Sequence, residues 1–375
     1  GDGVTFGKSP VAGSKIIVNY LSTSGSVANG GSTFTASNTI TVLDKSYSLN
    51  VVTITKSLNG SNLQSIDTIK QLAPVAFSTQ QRLVTALDYE SMIKANFTQV
   101  KDVAAWGSQD NIPVDYGKVY ISLDFDENVT PEEKTFVKTT IVNTFANNLA
   151  IMSIGTKFVE PVTLDFIIDA IIQWDPNLTG LKTGNIENRT KNIITTYFNN
   201  VLNGFGKAFR RSALLTEIDS YDQSILGSGL SVKLQISFKP SLNLQDAYKL
   251  YFPVRLEQPS ADKYTIESNS FTYGETNTIA RIRNRLNSTI LQIVDANNKV
   301  IIDNLGSYFP QSGLIQLNNF IPRAIIDGSV NVKISAIPQD QTVVKPLRNY
   351  VLNVSDTNLS VGVNIDYQNT NVVLG

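Results

Sequence analysis

The chain has 375 residues, 42% of them apolar, with 31 basic against 32 acidic side chains and a formal net charge of −1. That balance leaves no electrostatic ground for nucleic acid or an anionic membrane as a partner. It contains no cysteine and no histidine, which removes disulfides, thiolate zinc sites, thiol nucleophiles and every histidine relay.

The length predicts roughly two to three domains. Residues 1–60 read as a β-rich segment full of Gly, Ser and Thr, with strands expected over 15–20, 39–43 and 47–54. Residues 62–73 carry a short helix pattern in Leu63, Ile66, Ile69 and Leu72. A second helix starts at Thr85, an N-cap with Asp88 at the third helical position, and Val84 and Tyr89 have staple spacing. Tyr89, Met92, Ile93 and Phe97 give that helix one apolar face.

Residues 119–125 alternate as a strand, with Val119, Ile121, Leu123 and Phe125 inward and Tyr120, Ser122 and Asp124 on a wet face. Thr130, Pro131 and Glu133 then open a capped helix whose apolar face is Phe136, Val137, Ile141, Phe145 and Leu149. A long alternating strand follows Pro161, completing a βαβ-like unit over 118–174. Further helices are expected over 186–202 and 208–221, and a strand over 232–239. The proline-bearing stretch 240–259 reads as a domain junction. Beyond it come short strands over 290–295, 299–302, 314–317, 329–337 and 350–354, with turn signals at Asn297-Asn298 and Asp327-Gly328.

Candidate chemistry is thin. Gly7-Lys8-Ser9 and Gly206-Lys207 are fragments of a phosphate loop: the first has Asp2 where a Gly is needed, the second Ala208 where a hydroxyl is needed. Asp124, Asp126, Glu127, Glu132 and Glu133 form an acidic cluster, but the alternate ligands and central Gly of a calcium loop are missing. Two of these acids sit in a helix's first turn, where its dipole favours them. Asp165 and Asp169 share a strand face with Ile167 and Ile171, and a glycosidase pair would need a cleft around them. Arg281, Arg283 and Arg285 alternate and read as a solvated strand or loop face. Asn96-Phe97-Thr98 is a glycosylation triplet of little weight in so Asn/Ser/Thr-rich a chain. No catalytic residue, cofactor site or metal site follows from the residues.

Three ordered segments resemble the baseplate J-like family of contractile phage tails. They are Gly1-Asp2-Gly3-Val4 with Phe6-Gly7 and Gly13-Ser14, then the run Gln81-Arg82-Leu83-Val84-Thr85-Ala86-Leu87-Asp88-Tyr89-Glu90. Residues 100–103 and 117–123, the Pro131 helix and the strand after Pro161 follow in the family's order. The resemblance covers roughly residues 1–240, and its motifs are structural rather than catalytic. It implies a virion subunit of the tail baseplate, assembled in the host cytoplasm, that links wedges into a ring around the hub and passes the baseplate's change of shape to the sheath. The implied partners are a second copy, other wedge proteins and the proteins nearest the sheath and the hub.

The fold expected is α+β: a β-rich segment over residues 1–60, a central mixed α/β block over 61–240 with capped helices on alternating strands, and a β-sandwich-like domain over 241–375 that self-associates. A tail-associated carbohydrate-binding module is the rival reading, motivated by polar β-rich ends and 14 tyrosines. An enzyme running on carboxylates alone is the third.

Overall fold

The computed structural model describes residues 82–367, apart from 98, 111–113, 127–128 and 147–153, together with parts of 11–80. Within 11–80 a single hairpin is defined, β1 (Ile40–Val42) on β2 (Lys45–Tyr47), turned by Leu43 and Asp44 at positive φ. Residues 48–53 are not a strand, contrary to expectation. The predicted strand over 15–20 and helix over 62–73 fall partly outside the described residues. Among the described residues, every buried core side chain lies at residue 83 or beyond.

Residues 82–160 form a small lobe. It contains α1 (Ala86–Asn96), β3 (Val100–Gly107), β4 (Lys118–Phe125), α2 (Pro131–Thr140) and β5 (Gly155–Phe158). Thr85 closes the expected capping box: its hydroxyl accepts from the Asp88 N–H, and Asp88 accepts from the Thr85 N–H at 2.8 Å. Tyr89, Ile93 and Phe97 are buried against Val103, Ile121 and Leu123 of the sheet. Val84, expected to staple onto Tyr89, is 53% exposed.

Thr130 and Glu133 close a second box on α2, with the Thr130 N–H donating to Glu133 at 2.9 Å. Thr130→Ala leaves first-turn N–H groups unmet and should cost about 1 kcal/mol, measurable as a lower urea midpoint with an unchanged slope. Past Thr140 the helix widens into a π-helical stretch, Ile141–Ala146, instead of continuing as α. The side chains of Phe145 and Leu149 lie outside the described residues.

The βαβ unit is real, but its second strand is not the predicted one. β4 pairs in parallel with the four-residue β5, and antiparallel with β3. The long strand after Pro161, β6 (Val162–Trp174), belongs to the other lobe.

Residues 161–367 form the large lobe. Its elements are α3 (Thr183–Asn200), β7 (Phe209–Arg210), α4 (Arg211–Asp219), β8 (Ile225–Phe238), β9 (Asp246–Tyr251), β10 (Ile266–Ser268), β11 (Phe271–Tyr273), β12 (Thr278–Asn284), β13 (Ile290–Asp295), β14 (Val300–Phe309), β15 (Leu314–Phe320), β16 (Pro322–Ile325), β17 (Val332–Ala336), β18 (Val343–Val344) and β19 (Tyr350–Ile365). One sheet runs β19-β6-β8-β17-β10-β12-β13-β14-β15-β9, with β11 and β16 attached beside β12. Only β19 and β6 pair in parallel along that path. The sheet curls until β9 lies back on the end of β8, where the Phe238 and Tyr248 rings are 4.7 Å apart and Phe320 packs on both.

The stretch 240–259, expected as a junction, contains strand β9 and interrupts neither sheet nor core. β8 pairs with β17 across it, and β6 with β19. Long-range pairing of this kind has no local sequence signal, which is why 161–240 and 241–367 read as separate units. Asn298, at positive φ, turns the expected β13–β14 hairpin. Asp327-Gly328 also turns the chain, but β16 and β17 on either side pair with other strands.

Asp327 holds that turn together. It accepts from the Ser329 N–H at 3.0 Å, the Ser329 hydroxyl at 2.6 Å and Asn269 at 3.0 Å, with Lys333 at 3.2 Å. These donors, the Ser329 hydroxyl foremost, hold its pKa far below the usual carboxylate range. A depressed folded pKa contributes stability above the unfolded value of about 3.9 that is lost as pH falls through the folded one. Asp327→Asn should therefore lower the melting temperature at pH 7, and its gap to the parent should narrow steadily below about pH 4.

Candidate functional site

The two lobes meet through a narrow joint between two clefts. On the small lobe, Trp106, Tyr120 and Lys157 stand in one row across β3, β4 and β5. The Trp106 and Tyr120 rings stack at 5.9 Å, and the Lys157 ammonium lies 5.2 Å from the Tyr120 ring centre. This row occupies the face predicted to be wet. It is covered instead, because Phe205 and Val351 of the large lobe pack on it. Ser122 on the same face is fully buried.

The larger cleft, about 930 Å³, lies between that row and a wall formed by residues 251–255, Gln311, Ser312 and 347–350. Its cations are Lys157, Arg255 and Arg348. Among its described lining residues the one carboxylate, Asp115, is matched by Lys118 and the Tyr120 hydroxyl, each at 2.9 Å. Val114, Tyr251 and Leu347 on its walls are exposed. Trp106 and Tyr120 are only 8% and 7% exposed, so they present no open platform for a sugar ring.

The smaller cleft, about 540 Å³, is lined by Glu90, Lys94, Asp102, Lys207 and Arg348 among others. Glu90 accepts from the Ala105 N–H at 2.8 Å, and burial raises its pKa despite that bond and the nearby Lys94. Asp102 sits between the lobes, taking the Lys94 ammonium at 2.5 Å and the Phe205 N–H at 2.6 Å. Sequence reading did not single out Asp102, Phe205 or Trp106. A buried contact between residues 103 positions apart leaves no periodic trace.

The candidates named from sequence are dispersed. Gly7-Lys8-Ser9 lies outside the described residues. Gly206-Lys207 precedes a two-residue strand rather than a helix N-terminus, so it is no phosphate loop. Among the acids, Glu133 caps α2, Glu127 lies outside the described residues, and no group of His, Cys, Asp or Glu fit to hold a metal occurs among the described residues. Thr98 of the glycosylation triplet is also outside them.

Asp165 and Arg283 are brought onto one line. Asn353, Asp165, Gln235, Ser335, Glu267, Arg283 and Gln292 stand in register across seven neighbouring strands. Asn353 donates to Asp165 at 2.7 Å and Gln235 to Ser335 at 3.0 Å. Burial raises the Asp165 pKa, partly offset by the Asn353 bond. Neither Asp165 nor Asp169 lines either cleft. Arg283, expected on a solvated face, is 7% exposed, with its guanidinium over the Tyr264 ring and hydrogen-bonded to Asn298. Arg281 shares Asn298, and Arg285 pairs with Asp303. This row is a structural polar ladder in which the buried Arg283 Nε is left without a hydrogen-bond partner.

Comparison with known proteins fits the geometry of the small lobe. Residues 85–155 match the family described as baseplate structural protein gp6, C-terminal domain I. Those bounds run from the cap of α1 to the first residue of β5. The small lobe is thus similar to a domain of a baseplate structural protein. The chain is also 22% identical over 281 residues to baseplate wedge protein gp6 of Enterobacteria phage T4, covering 71% of this chain and 39% of that protein. By these matches the chain resembles gp6, and it spans about two fifths of that relative's length. A chain in the six-fold-symmetrised cryo-EM structure of the anti-feeding prophage baseplate aligns with 50% of this chain and 43% of its own length. At 11% identity and a TM-score of 0.30 that likeness carries no argument.

Proposed function

We propose that this chain is a non-enzymatic structural subunit of a contractile-tail baseplate, residing in the virion and linking wedges into a ring through contacts with its own copies and with other wedge proteins. The observation that carries this reading is the coincidence of the gp6 domain match with one compact structural unit, the small lobe. Rearrangement on tail contraction, contacts toward sheath and hub, and pairing of two copies through residues 241–375 belong to the same proposal. Imaging intact and contracted particles tests it: density for this chain should lie in the baseplate ring and change orientation between the two states. Finding it outside the baseplate would overturn the reading. Pairing has its own test, the mass of the full chain in solution at micromolar concentration, where a monomer would count against it.

A further inference from the structure

The cores of the two lobes share no residue: one is built from side chains between 83 and 141, the other from side chains between 164 and 359. Among the described residues, the small cluster of Ala104, Trp106, Tyr120 and Phe205 lies between them. Apart from the connecting chain near residue 160, where Val162 and Asn349 bond to their neighbours, one polar contact between described side-chain and backbone groups spans the joint. It is the Asp102 carboxylate, whose side chain is 14% exposed, accepting the Phe205 N–H of the large lobe while Lys94 of the small lobe neutralises it.

The glycine beside that contact is required twice. Gly204 has φ +96, and an added Cβ would run into the Asp102 carboxylate. A side chain there would turn the Asp102 carboxylate away from the Phe205 N–H. The cluster is flanked by the two clefts.

We infer that Asp102, Gly204 and the Phe205 N–H form a latch that sets the angle between two separately folded lobes, and that the subunit bends here. A charged acceptor holding this amide favours one angle, and the bond is one that strain from neighbouring subunits can exchange for water. Its use in a moving baseplate rests on the function proposed above, but the latch itself is tested on the isolated full chain.

The absence of cysteine from the sequence makes that test direct. Cysteines introduced at exposed Glu132 and Asp262 place one spin label on each lobe. The parent chain should give one narrow distance distribution. Asp102→Ala should shift and broaden it while circular dichroism and the denaturant midpoint stay near the parent's. Asp102→Asn keeps an acceptor without the charge and should fall between the two. A distribution in both variants identical to the parent's would overturn the latch and leave the baseplate assignment untouched. If Asp102→Ala fails to fold, the Asn variant decides on the same readout.

Discussion

Phe166→Ala should destabilise the large lobe by about 3–5 kcal/mol, the range for deleting a fully buried phenylalanine. Phe166 projects from β6, the strand between β19 and β8. Its ring meets Phe198 of α3 at 5.1 Å and Phe209 of β7 at 4.9 Å, so a single side chain ties the sheet to both a helix and the short β7–β18 ribbon. Phe166, Phe198 and Phe209 are all buried, and Leu164 and Ile168 on the same face leave little freedom to collapse into the void. The measurement is urea unfolding followed at the large lobe. A loss below about 1 kcal/mol would mean that the cavity closes, which close-packed interiors rarely permit.

Gly306→Ala should be nearly as damaging, at about 2–4 kcal/mol, because strain and steric conflict act together. Gly306 has φ +152, and a Cβ there would overlap the backbone carbonyl of Gln316 on the neighbouring strand. β14 is held on both sides, by β13 and β15, so it cannot slide away. Gly227→Ala is the control. It sits in a strand without positive φ, and its Cβ would meet open space. That change should be neutral or stabilising by up to about 1 kcal/mol through the unfolded chain. If the two alanine variants unfold at the same urea concentration, the steric account of Gly306 is wrong.

Elements with a local cause were readable in advance. Both capping boxes, at Thr85 and Thr130, involve residues three apart and therefore write themselves into the sequence. The alternation of β6 and the Asn298 turn are of the same kind. What failed was everything decided at a distance. Tyr120 looks like part of a wet face until Phe205 and Val351 of the large lobe cover it. Arg283 looks solvated until Tyr264 and Asn298 close over it. β5 and β9 are too short and too mixed in composition to stand out, and each exists because a neighbouring strand offers it hydrogen bonds.

The sequence by itself determined the chemistry this chain does not possess through cysteine or histidine, the capped helices of the small lobe, and its likeness to baseplate proteins. These depend on residue type and on spacings of a few positions. Only the tertiary structure decided that residues 161–240 and the C-terminal strands share one sheet, and that Asp102 meets Phe205 across the joint. Such pairings arise from the burial of complementary surfaces far apart in the chain, and loop closure over that distance leaves no periodicity to read.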